Sequence, residues 1–264
     1  MPYFDGAEGR VYHRHWAVPE RRAAVVFLHG FGEHSGLYHR YAAALGAHGI
    51  DLWALDEIGH GLSDGERGRF GAFGSLVENA RALTDLARAE RPGLPLVVAG
   101  HSLGSLVALV AALDHPADYA GAVLSGAPLS PLPWIVDHDE VEGGTLDLDP
   151  AALSSDPFYL DELENDPLAF TSADAVDVLA AAFPPVWRRL DAELPGVTLP
   201  ILAVHGQRDA IAPLGGVAAW RDRLPGLRIS VVPGAGHDVL NEVAHRRVAD
   251  DVAAFVLQRA GVPA

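Results

Sequence analysis

Short apolar runs recur along the whole chain, at 23–29, 50–55, 94–100, 119–124, 200–205 and 227–232, each bounded by Gly, Pro or Asp. Runs of this length, apolar at nearly every position, fit strands buried on both faces. Helix-length stretches separate most of them, at 37–48, 73–91, 103–113, 216–224 and 241–259. Such alternation predicts an α/β fold: a mainly parallel central sheet with helices on both faces.

One stretch breaks the alternation. Residues 128–195 carry many prolines, acidic turns and short helical patterns such as 173–182, with no central strand. They read as an insertion after the sixth sheet strand, so that 1–127 and 196–264 form the core and 128–195 an inserted cap. Ligands of open α/β sheets bind at the carboxyl edge of the strands, where such a cap would control access. The insertion holds fifteen acidic residues against Arg188 and Arg189 alone, and the chain carries a net charge of -16. That charge argues against a nucleic-acid partner, which needs clustered cations.

The inventory excludes further chemistry. With no cysteine, there are no disulfides, thiolate metal sites or cysteine nucleophiles. All 19 basic residues are Arg, so neither a Schiff base nor a serine-lysine dyad is available. No window reaches the length of an apolar membrane span, and the first residues lack a basic region followed by an apolar one. The expectation is a soluble, cytoplasmic protein without a signal peptide or integral membrane span. Its oligomeric state has no signature in the sequence.

Gly100-His101-Ser102-Leu103-Gly104 matches G-x-S-x-G between a predicted strand and a predicted helix. Ser102 then sits on a tight strand-to-helix turn that projects its hydroxyl above the sheet. The flanking glycines permit the strained turn and close packing. A serine here could simply cap the helix, but capping calls for no such glycines. A serine hydroxyl needs an adjacent base to become a nucleophile. His237, in Pro233-Gly234-Ala235-Gly236-His237-Asp238, follows the last strand and precedes the final helix. Asp209, in the loop after the strand 200–205, would orient its imidazole, giving the chain order Ser, Asp, His.

Other residues compete less well. His101 is expected to point away from Ser102, His13, His15 and His115 to lie at element ends, and His245 on a helix. Asp222 is a fallback acid on a helix, and Asp238 is too close to His237 to reach round to its ring. Main-chain amides should hold the developing oxyanion: Leu103, which follows the nucleophile, and Phe31 in His29-Gly30-Phe31-Gly32.

Taken together, residues 29–38 (HGFGEHSGLY), 59–63 (GHGLS), 100–104, 125–128 (SGAP) and 236–242 (GHDVLNE) resemble the monoacylglycerol lipases and related lysophospholipase-like hydrolases of the α/β-hydrolase superfamily. The Gly-Glu-His after the oxyanion loop is the more discriminating motif, because G-x-S-x-G is shared by the whole superfamily. The resemblance implies an α/β-hydrolase fold with a cap and hydrolysis of a small carboxylic acyl ester, without metal or organic cofactor. Two positions depart from the pattern: Ile58 stands where such proteins usually carry Arg, and Leu103 and Ser105 replace the more usual Met and Gly.

Trp134-Ile135-Val136 and Phe158-Tyr159-Leu160 are apolar clusters within the acidic insertion. Trp134, Ile135 and Phe158 are candidates for binding substrate, either lining an acyl tunnel or touching a lipid surface transiently. Packing the cap onto the core is the competing reading. The surrounding charge favours neutral esters over anionic ones. A carbon-carbon bond hydrolase, a lactonase or a non-catalytic binding protein could use the same scaffold. Dehalogenases and epoxide hydrolases would need Asp at position 102.

Overall fold

The structure, a computed structural model, describes residues 2–136 and 144–261. The acidic residues Asp137, Asp139, Glu140 and Glu142 lie outside the described residues. The chain opens with a hairpin, β1 (Tyr3–Gly6) and β2 (Gly9–Trp16). It continues through β3 (Ala23–Leu28), α1 (His39–Gly46), β4 (Ile50–Leu55), α2 (Phe73–Glu90), β5 (Leu96–His101), α3 (Leu103–Asp114) and β6 (Gly121–Ser125). The segment after β6 contributes α4 (Pro133–Val136), β7 (Thr145–Asp147), α5 (Pro150–Leu153), α6 (Pro157–Asn165), β8 (Ser172–Asp174) and α7 (Val176–Glu193). Alternation then resumes with β9 (Ile201–Gly206), α8 (Leu214–Ala218), β10 (Leu227–Val232) and α9 (His245–Arg259).

Eight strands form one sheet in the order β1-β2-β4-β3-β5-β6-β9-β10. β2 runs antiparallel to β1 and β4, and the remaining pairs are parallel. β3 shows why the sheet sits in the middle. Ala24, Val26 and Leu28 face one apolar layer, with α2 and α3, while Ala23, Val25 and Phe27 face the other, with α1 and α9. Side chains alternate along a strand, so a strand apolar at every position serves two cores at once. The six strands expected from the sequence are all present, with ends within two residues.

The differences have local causes. The β1–β2 hairpin is half exposed and polar, so it lacks the apolar run that marks the other strands, and His13 and His15 lie inside β2 rather than at an element end. The helix expected over 216–224 is regular only in α8 and continues as three-residue turns toward Leu224. The final helix begins at His245, because Asn241 and Glu242 turn their side chains inward to Asp238 and Ser155. α7 runs well past 182, through Pro184 and Pro185. Burial of Phe183, Val186, Trp187 and Leu190 outweighs the missing amide bonds there. The inserted strands β7 and β8 pair only with each other.

Candidate active site

Ser102 occupies the one-residue turn between β5 and α3, at φ 49° and ψ -117°. It is the sole non-glycine residue at positive φ among the described residues, a conformation that costs on the order of 1–3 kcal/mol. What enforces it is the closeness of strand and helix. A Cβ on Gly100 would collide with the Gly104 carbonyl, and one on Gly104 with the Leu28 carbonyl. Ser105, at the position where a second glycine is usual, donates its hydroxyl to the Ser102 carbonyl within the first helical turn.

Asp209 and His237 come together from the loops after β9 and β10. His237 Nδ1 donates to Asp209 Oδ2 at 2.8 Å, and both residues are buried. The other carboxylate oxygen, Oδ1, accepts the amides of Ile211 (3.0 Å) and Ala212 (2.8 Å). Burial alone would push this carboxyl up, but the His237 charge and hydrogen bonds from His205 and His237 outweigh it, holding Asp209 well below the usual carboxylate range. The second imidazole is one that sequence reasoning missed. His205 Nε2 lies 3.1 Å from Asp209 Oδ2 and donates to the Ala212 carbonyl at 2.7 Å, closing the loop that carries the acid. Its place at the end of β9, four residues before Asp209, was the available signal.

The loop at 29–32 is braced from behind. His29 Nδ1 donates to the Gly30 carbonyl (2.7 Å), while its Nε2 accepts the Glu57 amide (2.9 Å), which defines a neutral tautomer. Burial, its strongest influence, lowers this imidazole to about 3. The Phe31 ring packs edge-on against His60 (5.3 Å) and Phe170 (5.4 Å), and the Phe170 amide donates to the Gly32 carbonyl (2.9 Å). Leu103 opens α3, so its amide is one of the helix-start donors without a partner in its own helix.

Ser102, His237, Phe31 and Leu103 line one cavity, roofed by Trp134, Leu146, Leu163, Phe170, Leu179 and Phe183 of the inserted segment. Within it, the space open to the centre of a water molecule is about 40 Å³. That accommodates a few waters, far short of a pocket enclosing a drug-sized ligand. Of the three apolar candidates in the insertion, Trp134 alone borders the cavity. Ile135 is 1% exposed within the apolar core, and Phe158 is 50% exposed, its ring 4.7 Å from the Arg40 guanidinium carbon. Successive residues of a helix point in different directions around its axis, so Trp134 and Ile135 of α4, like Phe158 and Tyr159 of α6, meet different surroundings. Ile58, the departure from the family pattern, is buried in the core layer of α2 and α3.

His101 lies closer to the site than expected. Its ring centroid is 4.7 Å from that of His237, and its Nδ1 is 3.2 Å from the Ser125 hydroxyl. Ligand atoms of Glu33, His101 and Asp238 approach within 4.8 Å of one another, a spacing that a cation could bridge. Protein donors already occupy the two carboxyls. Glu33 accepts from the Gly30 amide, Tyr38 and Tyr159, and Asp238 from the Leu240 amide and Asn241. Asp238 makes no hydrogen bond to the His237 ring.

A mainly parallel sheet with a strained serine at its central strand-to-helix turn defines an α/β-hydrolase. Residues 19–244 match the family described as serine aminopeptidase, S33. The chain is 31% identical over 268 residues to a monoacylglycerol lipase of Mycolicibacterium smegmatis, covering 96% of this chain and 95% of that one. It is 29% identical over 228 residues to the monoglyceride lipase of Homo sapiens, covering 80% and 74%. The crystal structure of Paleococcus ferrophilus monoacylglycerol lipase superimposes with a TM-score of 0.80 at 25% identity, covering 94% of this chain and 99% of that one. The chain belongs to this monoacylglycerol lipase-like family and is an ester-hydrolysing serine hydrolase. No helix among the described residues is long and apolar enough to cross a membrane.

Proposed function

We propose that the chain hydrolyses monoacylglycerols or similar neutral acyl esters through an acyl-enzyme on Ser102. One geometry carries the reading: a serine held at positive φ shares a cavity with an imidazole whose far nitrogen is bonded to a buried carboxylate. With Nδ1 donating to Asp209, Nε2 of His237 is the basic nitrogen. Ser102 Oγ attacks the ester carbonyl as His237 takes its proton, and the amides of Phe31 and Leu103 receive the oxyanion. His237 then protonates the leaving alcohol. A water activated by the same imidazole releases the acid, so the scheme calls for no metal or organic cofactor.

Residues 128–195 act as the cap in this reading. Its apolar inner face suits an acyl chain, and the narrow cavity means that the roof shifts to admit one. The exposure of Phe158 supports a transient contact with a lipid surface in the same reading. Ser102→Ala is expected to abolish fluorophosphonate labelling and lower kcat by at least about 10³-fold with the fold retained. Unchanged turnover would refute the nucleophile. Rates across monoacylglycerols, p-nitrophenyl esters and an aminoacyl p-nitroanilide test the substrate, and a preference for the anilide would overturn it.

A further inference from the structure

Glu33 is buried and takes no part in the steps above. Its carboxyl gathers four parts of the molecule. Oε2 accepts the Gly30 amide of the oxyanion loop (2.8 Å) and the Tyr38 hydroxyl just before α1 (2.5 Å), and Oε1 accepts the Tyr159 hydroxyl of α6 (2.7 Å). Asp238, the neighbour of His237 in sequence, faces the same carboxyl. Gly30 shows how tightly these meet. A Cβ there would lie 2.7 Å from Glu33 Oε2, 2.8 Å from His101 Cδ2 and 3.3 Å from Ser102 Cβ.

Two buried carboxyls this close repel each other when both are ionised. Burial first, and the Asp238 charge second, push Glu33 up to about 8. Although Glu33 borders the cavity, both of its oxygens are occupied by protein donors.

We infer that Glu33 is a positioning residue for ester hydrolysis: it sets the height of the Gly30–Phe31 main chain and locks that loop to the His237 loop and to α6. The inference rests on the roles given above to Ser102 and Phe31. A donor displaced by a fraction of an ångström is felt most where charge develops, in the transition state, and least in ground-state binding. Loss of Glu33 therefore acts on kcat rather than KM.

The test compares Glu33→Ala, Glu33→Gln and Tyr159→Phe with the parent chain on p-nitrophenyl butyrate. Each kcat is expressed per active site titrated with a fluorophosphonate, which removes any effect of a partly folded sample. Glu33→Ala is expected to lower kcat by about 30- to 300-fold with KM within about threefold. Glu33→Gln is expected to recover most of this, because its amide still accepts from Gly30 and Tyr38 and donates to Asp238. Tyr159→Phe, which removes one donor, is expected to cost roughly three- to tenfold in kcat alone. A kcat for Glu33→Ala within threefold of the parent, a loss carried by KM, or a Gln variant no better than Ala would each overturn the proposal. If Glu33→Ala does not fold, Tyr159→Phe decides, and an unchanged kcat overturns it. Labelling of Ser102→Ala equal to the parent would instead fell the site reading on which it rests.

Discussion

Buried titratable groups stand behind the loop at 29–32, and they pull stability in opposite directions with pH. Glu57 is wholly buried, and neither of its oxygens has a hydrogen-bond partner among the described residues. Burial, reinforced by the Asp56 charge, raises it from 4.5 to about 8. Between those values the folded chain holds a proton that the unfolded chain has released, so this stabilisation is complete below about 4.5 and lost as pH rises through about 8. His29 and His60 do the reverse. Burial lowers each from 6.5 to about 3, so the unfolded chain binds protons that the fold refuses, and stability falls as pH drops through that window. Glu57→Gln is therefore expected to stabilise the protein at pH 9 by on the order of 2 kcal/mol more than at pH 5, with kcat/KM at neutral pH little changed. Thermal unfolding at the two pH values checks this, and an equal shift at both would rule out the buried acid as its cause.

At the scale of elements, the strand-to-helix turn at Ser102 depends on how closely β5 and α3 approach their neighbours. Gly104 lies against the Leu28 and His29 carbonyls of the adjoining strand end, with no room for a methyl group. Gly104→Ala is expected to cost about 3 kcal/mol or more, since rigid backbone would have to separate. Gly215 supplies the contrast: it lies in α8 with nothing within 4 Å of a Cβ, so Gly215→Ala is expected to be neutral or stabilising by up to about 1 kcal/mol. Urea unfolding of the pair separates close approach from a general intolerance of side chains. A similar effect of both substitutions would remove the packing argument.

Across the whole molecule, charge is unevenly shared. Asp147, Asp149, Asp161, Glu164, Asp174, Asp191 and Glu193 of the inserted segment are exposed to solvent. Three of its less exposed acids tie it to the core instead, Asp156 to Arg40 (2.9 Å), Asp166 to His34 (3.0 Å) and Asp177 to Arg69 (2.8 Å). Such a surface repels anions approaching the cavity over a distance set by the Debye length. The ratio of kcat/KM for a neutral ester to that for a chain-matched anionic ester is expected to fall several-fold between about 10 mM and 500 mM salt. A ratio independent of salt would show that charge plays no part in the selection.

The residues alone were enough to predict the parallel sheet and the turn bearing Ser102, because these follow from local rules: consecutive apolar positions mark a strand buried on both faces, and two glycines around a serine permit one tight turn. The places of Asp209 and His237 followed from the order of strands and loops. The sequence could not distinguish an apolar side chain lining a cavity from one filling a core, since burial selects the same residue types for both, and so Trp134, Ile135 and Phe158 looked equivalent. Nor could it bring Glu33, Tyr159 and Asp238 to one point, or set His205 beside Asp209. Those contacts join separate loops and elements, some of them more than a hundred residues apart in the chain, and they arise only when the sheet and its insertion close around them.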